Sequence, residues 1–206
     1  MEKNCGLVKE QIRHNIGWQT GLSVLLLAGS PLILGIRNLD LAQSAKVLEM
    51  YVATIGILLF VPVFQPEQNK DLRDLIASKY TDIRCIYGVR VGLSVLVGGI
   101  LLFVYMGVMR HGNCEMELGK FFFGTMAEML AFGGIGILAY AWSDNLIVGY
   151  MVPIVYYVIA YGGGAKYLKK VYPFAMTTDY STKYVLLAAG IFCILCGIYI
   201  RGKRQR

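Results

Sequence analysis

Six long apolar runs, separated by short polar segments, dominate the pattern of hydrophobic and polar positions along the chain. A segment that crosses a bilayer needs about 20 mostly apolar residues, and it can satisfy its own backbone inside lipid only as a helix. The fifth run reaches that length only if its ends are included. The sequence therefore predicts an all-α membrane protein, a single transmembrane domain over residues 1–206, with six spans at about 17–36, 47–64, 88–109, 121–142, 146–161 and 184–200.

Composition agrees with this pattern. Of 206 residues, 56% are hydrophobic and only 16% are charged, whereas soluble domains carry about 25% charged residues. The net charge of +7 suits a lipid bilayer with anionic headgroups. Nucleic acid is not an expected partner, because the basic residues form no stripe with interleaved aromatic residues.

The distribution of Lys and Arg predicts the orientation. With the N-terminus inside, twelve basic residues fall in the inner segments and eight in the outer ones. Inner loops are the ones that carry more Lys and Arg. We therefore expect a multi-pass protein of the cell membrane with both termini in the cytoplasm.

The segment before the first run has its own pattern. Val8, Ile12 and Ile16 repeat every four residues, with charged side chains on the other faces. This spacing predicts a short amphipathic helix lying on the inner leaflet, and a frayed terminus is the alternative.

A compact charged stretch, PEQNKDLRDLIASKY at residues 66–80, separates the second and third runs and holds three acidic and three basic residues. Asn69 is a suitable N-cap. Leu72, Leu75, Ile76 and Tyr80 share one face at helical spacing. The pattern predicts a cytoplasmic amphipathic helix at about 67–80. It fits equally a surface helix resting on its own bundle and a docking helix for a cytoplasmic partner.

This stretch, followed by LIASKYTDIRCIYGVRV, resembles the coupling helix of the permease subunits of type 2 ABC exporters. In that family an acidic residue and a basic residue precede a Leu-Leu pair, a serine and a basic residue entering the third span. Asp71-Leu72 stands here where the family often has Gly-Thr, which suggests small permeases of the bacteriocin and lantibiotic-immunity type. The matching positions are Glu67, Lys70, Leu75, Ile76, Ser78 and Arg90.

The resemblance extends to the architecture of the whole chain. It implies cytoplasmic ABC ATPase subunits as partners, a second permease copy or a paralogue, and export of an amphipathic or peptide-like substrate. ATP and Mg would be bound by the partner subunit, with no cofactor in this chain. The residues expected to couple to the ATPase are Glu67, Lys70, Asp71, Leu72, Arg73, Leu75, Ile76 and Lys79.

Residues for catalysis are not apparent in the sequence. The chain has no GxxxxGK[ST] motif, so it carries no P-loop of its own. His14 and His111 lie outside the runs, which argues against a zinc site and against an activated intramembrane serine. We therefore expect no enzyme activity and no metal site in this chain.

Two acidic residues within the apolar runs are candidates for a substrate path. Glu128 lies well inside the fourth run, and an acid near mid-membrane costs on the order of 2.5–3.5 kcal/mol, so it seldom faces lipid. It contacts a cationic cargo, forms a gating pair, or makes a helix-packing hydrogen bond; the sequence leaves these open. Glu49 lies near the outer end of the second run, where we expect it to reach water.

Two other functions stay open beside the exporter subunit. One is a secondary transporter driven by an ion gradient, with Glu128 as the proton-carrying group. The other is a non-transport membrane scaffold whose charged helix binds a soluble protein.

Overall fold

The computed structural model describes residues 17–68 and 83–204, and every regular element within those ranges is helical. The expected N-terminal helix and residues 69–80 of the expected coupling helix lie outside the described residues. The helices are α1 (Gly17–Leu34), α2 (Leu41–Met50), α3 (Ile55–Phe60), α4 (Ile83–His111), α5 (Leu118–Ser143), α6 (Leu146–Tyr161), α7 (Gly164–Leu168) and α8 (Ser181–Arg204), with 3₁₀ turns at Val52–Thr54, Val61–Gln68 and Lys169–Val171.

Four stretches within the described residues are long and apolar enough to cross a membrane. They are Leu41–Pro66, Ile83–His111, Leu118–Ser143 and Ser181–Arg204. The helices α1, with 18 residues, and α6, with 16, are shorter. The all-helical character is therefore confirmed, and four candidate spans agree with a multi-pass membrane protein, while the number of six spans stays a prediction.

Hydrogen bonds between the loops show which helix ends lie at the same end of the bundle. The backbone N–H of Asn38 donates to Gly112 O at 2.9 Å, and that of Glu115 donates to Leu39 O at 3.0 Å. The loops at 35–40 and 112–117 thus lie together, at what we call the upper end. The tight turn at 143–145, between α5 and α6, lies at the opposite, lower end. Segment 162–180 returns to the upper end, where the Tyr180 hydroxyl donates to Lys120 O at 3.0 Å.

The second span is longer than predicted and is not one regular helix. It begins at Leu41 rather than residue 47, after Asp40, whose backbone N–H donates to the Gln43 side chain at 3.3 Å. Side-chain hydroxyls then bond to backbone carbonyls at its centre: Thr54 to Tyr51 O at 2.6 Å and Tyr157 to Met50 O at 2.9 Å. Helices bend where side chains enter the backbone ladder in this way.

Helix α5 and the second span form the centre of the bundle. In their most apolar stretches 72% and 78% of the residues are buried, against 33% in α4 and in α8. The outward faces of α4 and α8 expose large apolar side chains, including Phe103 and Phe192. Apolar surface of this extent marks contact with a membrane or a partner, and lipid accounts for it in helices of this length.

Glycines bring α5 and α8 into backbone contact. A Cβ on Gly190 would lie 2.7 Å from the carbonyl carbon and oxygen of Leu130, and a Cβ on Gly134 would lie 2.5 Å from Gly190 O. Small residues allow such close approach between helices in lipid. This contact fixes α8 against the central helix.

Replacing Gly190 by alanine tests this contact. We expect Gly190→Ala to lower the free energy of unfolding by about 1–3 kcal/mol, because the new methyl group meets backbone that has no room to move. The control is Gly92→Ala on α4, where a Cβ meets nothing within 4 Å and the gain in helix propensity makes the change neutral or slightly stabilising. Thermal unfolding in detergent measures both, and equal melting temperatures would contradict the packing described.

Candidate functional site

A buried lysine at the upper end joins three parts of the chain. Lys183, the third residue of α8, has a side chain that is 0% exposed. Its ammonium group forms ion pairs with Glu49 of α2, at 2.6 Å, and with Glu128 of α5. It also donates to the backbone carbonyl of Pro173. We call Lys183, Glu49 and Glu128 the lysine cluster.

The surrounding elements make room for the lysine cluster and close it. Gly124 on α5 leaves space for the Met176 side chain, whose Cε would lie 2.9 Å from a Cβ at that position, and the Lys183 stem packs beside it. The backbone N–H of Met176 donates to Glu49 Oε1 at 2.5 Å. Segment 172–180 is therefore tied to α2, α5 and α8 through one set of charged groups.

Aromatic rings cover the lysine cluster on the side of α6. Phe132 of α5 lies between Tyr156 and Tyr157, with ring centroids at 5.7 and 6.1 Å, and Tyr157 meets Phe174 edge-on at 5.4 Å. Burial raises the pKa of the Tyr172 hydroxyl, and the negative charge of Glu49 raises it further. These aromatic side chains thus cover the lysine cluster on the side of α6.

This arrangement is stable only as a unit. Moving an ion out of water costs several kcal/mol, which is recovered only by close pairing with further hydrogen bonds. The three donors of a Lys183 ammonium each have an acceptor, in Glu49, Glu128 and Pro173. Removing Lys183 would leave two buried carboxyl groups without a cation.

A second set of polar contacts lies at the lower end, around Arg201 of α8. Arg201 pairs with Asp144, just after α5. Its guanidinium lies over the rings of Phe64 and Tyr140, at 5.9 and 5.7 Å from their centroids. Phe64 and Tyr87 meet edge-on at 4.7 Å.

These contacts hold the two chain ends that flank residues 69–82. Phe64 lies just before that segment and Tyr87 just after it. On the same side, Arg90 Nη1 donates to Val63 O at 2.9 Å, and Arg204 donates to Trp142 O at 2.9 Å. We call Phe64, Tyr87, Arg90, Tyr140 and Arg201 the base contacts, because they fix the base of the charged segment to α5 and α8.

An apolar cavity of about 470 Å³ lies on the surface between α4 and α5, near the upper end. Arg110 is the charged residue in its lining, which otherwise includes Phe103, Met106 and Phe122. Such a lining suits an apolar chain with an anionic or polar end.

The structure brings together the two predicted substrate-path residues, Glu49 and Glu128. The expectation that Glu49 reaches water is wrong, because its side chain is 4% exposed and bonded to Lys183. Sequence reasoning missed Lys183 as their partner. The sequence offered only an indirect signal: two acids within apolar runs favour a nearby cation, and Lys183 directly precedes the sixth run.

The predicted coupling residues cannot be placed in the same way. The backbone of Glu67 lies in the 3₁₀ turn Val61–Gln68, and its side chain is outside the described part of the structure. The others, Lys70, Asp71, Leu72, Arg73, Leu75, Ile76 and Lys79, lie outside the described residues.

Comparison of the chain with protein-family models, with curated proteins and with solved structures gave no significant match.

Removing the buried cation is the direct test of the lysine cluster. We expect Lys183→Met to lower the free energy of unfolding by about 3–5 kcal/mol, because it leaves two buried carboxyl groups without a cation. Adding Glu49→Gln and Glu128→Gln in the same chain should recover part of that loss. Thermal unfolding in detergent gives both values.

The matched control is a second lysine–glutamate pair at the surface. Lys120 and Glu117 lie 2.6 Å apart with exposed side chains, so Lys120→Met should cost less than about 1 kcal/mol. A loss for Lys183→Met no greater than that for Lys120→Met would contradict the arrangement.

Proposed function

We propose that the chain is the transmembrane subunit of an ATP-driven exporter and that a separate ATPase subunit drives it. The observation that carries the proposal is the set of base contacts. Residues 67–80, whose sequence resembles a coupling helix, are flanked by Phe64 and Tyr87, and these two rings pack against each other. Phe64 also lies against Tyr140 of α5 and Arg201 of α8, so the flanks of the segment contact both helices.

The bundle provides a path from that segment to the upper end. Helix α5 has 26 residues, about 39 Å at 1.5 Å per residue. It carries Tyr140 near the lower end and Glu128 in its upper half, and α8 carries Arg201 and Lys183 in the same order. A displacement of the coupling segment is passed through Phe64 and Tyr87 to both helices.

In this proposal the lower end faces the cytoplasm, as the excess of basic residues there favours. ATP binding closes two partner ATPase subunits, which hold the ATP and Mg. Their movement displaces residues 67–80, the base contacts transmit it, and α5 and α8 shift relative to the rest of the bundle. Cargo leaves between two permease subunits, the second being another copy of this chain or a paralogue.

An amphipathic or peptide-like substrate is the class that the surface favours. The cavity between α4 and α5 combines an apolar lining with one arginine, and it opens toward lipid. Apolar side chains on the outward face of α4 continue that surface. A cargo with a long apolar part and a polar end matches this chemistry better than a small hydrophilic solute does.

A second candidate function is ion-gradient-driven transport through Glu128. The observation in its favour is the complete burial of that carboxyl group, which is 0% exposed. Transport into vesicles with ATP present and the ion gradient dissipated separates the two: continued transport supports the ATP-driven exporter, and its loss supports the ion-driven one.

Co-purification in mild detergent tests the coupling segment. We expect an ATPase subunit to accompany the wild-type chain and its recovery to fall at least about tenfold with Leu75→Asp/Ile76→Asp, because two apolar contacts of more than 1 kcal/mol each are lost at the interface. Mass spectrometry identifies the partner.

The matched control places the same two charges at the other end of the molecule. Thr177→Asp/Thr178→Asp changes exposed residues of segment 172–180 and should leave recovery of the ATPase unchanged. Absence of any nucleotide-binding protein in several detergents, or equal loss in both variants, would contradict the proposal.

A further inference from the structure

The lysine cluster is not electrically balanced. It contains one base and two acids, all buried, so ionisation of all three groups leaves one negative charge inside the bundle. An isolated charge in a low-dielectric interior is costly and is usually removed by binding a proton. The question is whether a neighbouring group supplies the missing positive charge.

The elements packed around the lysine cluster supply none within the described residues. Tyr156 of α6 lies close enough to Glu128 to interact with its charge, and Tyr172 is close to Glu49. Both tyrosines are neutral at physiological pH, since a phenol ionises near pH 10. Helix α3 has no titratable side chain, and at this level α4 presents Gly98 to Met129.

The contacts of Lys183 fit its charged form. Its nitrogen has three acceptors, in Glu49, Glu128 and Pro173. These three contacts fit the ammonium form, which has one N–H group for each of them. The positive charge is thus fixed, and the additional proton belongs on one of the two carboxyl groups.

The hydrogen bonds distinguish the two carboxyl groups. Oε1 of Glu49 accepts from both Lys183 and the Met176 N–H, and hydrogen bonds to the charged form favour ionisation. Oε1 of Glu128 accepts from Lys183, and the carboxyl groups of Glu128 and Glu49 lie within hydrogen-bonding reach of each other. Oε2 of Glu128 is buried and accepts from no donor among the described residues. Oε2 of Glu128 is therefore the oxygen available to carry a proton.

We propose that the lysine cluster binds one exchangeable proton, carried by Glu128 Oε2, so that the buried group as a whole is neutral. Release converts the Glu128 carboxylic acid to a carboxylate plus a free proton, and leaves one negative charge that needs water. Because Met176 ties segment 172–180 to the same groups, proton release and displacement of that segment are linked. The inference does not depend on the proposed exporter function.

Infrared difference spectroscopy of the full chain in detergent, near neutral pH, counts the protonated carboxyl groups. Exposed acids are ionised there, so the carbonyl band of a protonated acid reports buried ones. The wild type should show a band equivalent to one group, which shifts in D₂O. The band should vanish in Glu128→Gln, and also in Glu49→Gln, because each variant leaves a balanced pair with Lys183.

The same count of charges predicts a stronger carbonyl band when the cation is removed. Lys183→Met leaves two acids without a positive charge, so the band should double. Glu117→Gln, at the exposed pair with Lys120, should leave it unchanged. Glu128→Asp should shift the frequency of the band while Glu49→Asp leaves it in place.

Three results would overturn the proposal. A wild-type spectrum without the band would show that no buried carboxyl group is protonated. A band that persists at full intensity in the isosteric Glu128→Gln would show that Glu128 does not carry the proton. A frequency shift in Glu49→Asp alone would move the proton to Glu49. Stabilisation of the wild type by sodium at fixed pH, without the band, would place a metal cation there instead.

Discussion

A lysine ammonium group enclosed by two carboxyl groups, inside a bundle of apolar helices, is the interaction on which the upper half of this molecule depends. Lys183 brings together α2, α5, α8 and the segment at 172–180, which the chain order keeps far apart. The two acids are buried together only because Lys183 lies between them. The ion pairs therefore act as a cross-link between elements whose apolar surfaces alone would not define one arrangement in lipid.

In the middle of the bundle, close backbone contact fixes α8 against α5. Gly134 and Gly190 let α5 and α8 approach until a methyl group no longer fits between them. The two helices then continue to the lower end, where Arg201 lies against Phe64 and Tyr140. One pair of helices thus connects the lysine cluster with the residues that flank the charged segment.

The all-helical character and the long apolar helices could be predicted from the sequence, because apolar length and helical periodicity are local properties. The start of the second span was missed by six residues, since Gln43, Ser44 and Lys46 interrupt the apolar run while Asp40 begins the helix. Glu128 could be singled out from its position alone. Its pairing with Glu49 and Lys183 could not, because it depends on contacts between residues 55 and 134 positions apart, which no local pattern encodes.

Hydrogen exchange of the backbone amides, followed by mass spectrometry, tests most directly whether the lysine cluster holds the upper end together. The account predicts that peptides covering 172–180 are protected in the wild type and exchange at least about tenfold faster in Lys183→Met, a change of about 1.4 kcal/mol in local opening. Peptides covering 127–140 of α5 serve as the internal reference and should keep their protection. Equal exchange of 172–180 in the two proteins would contradict the account.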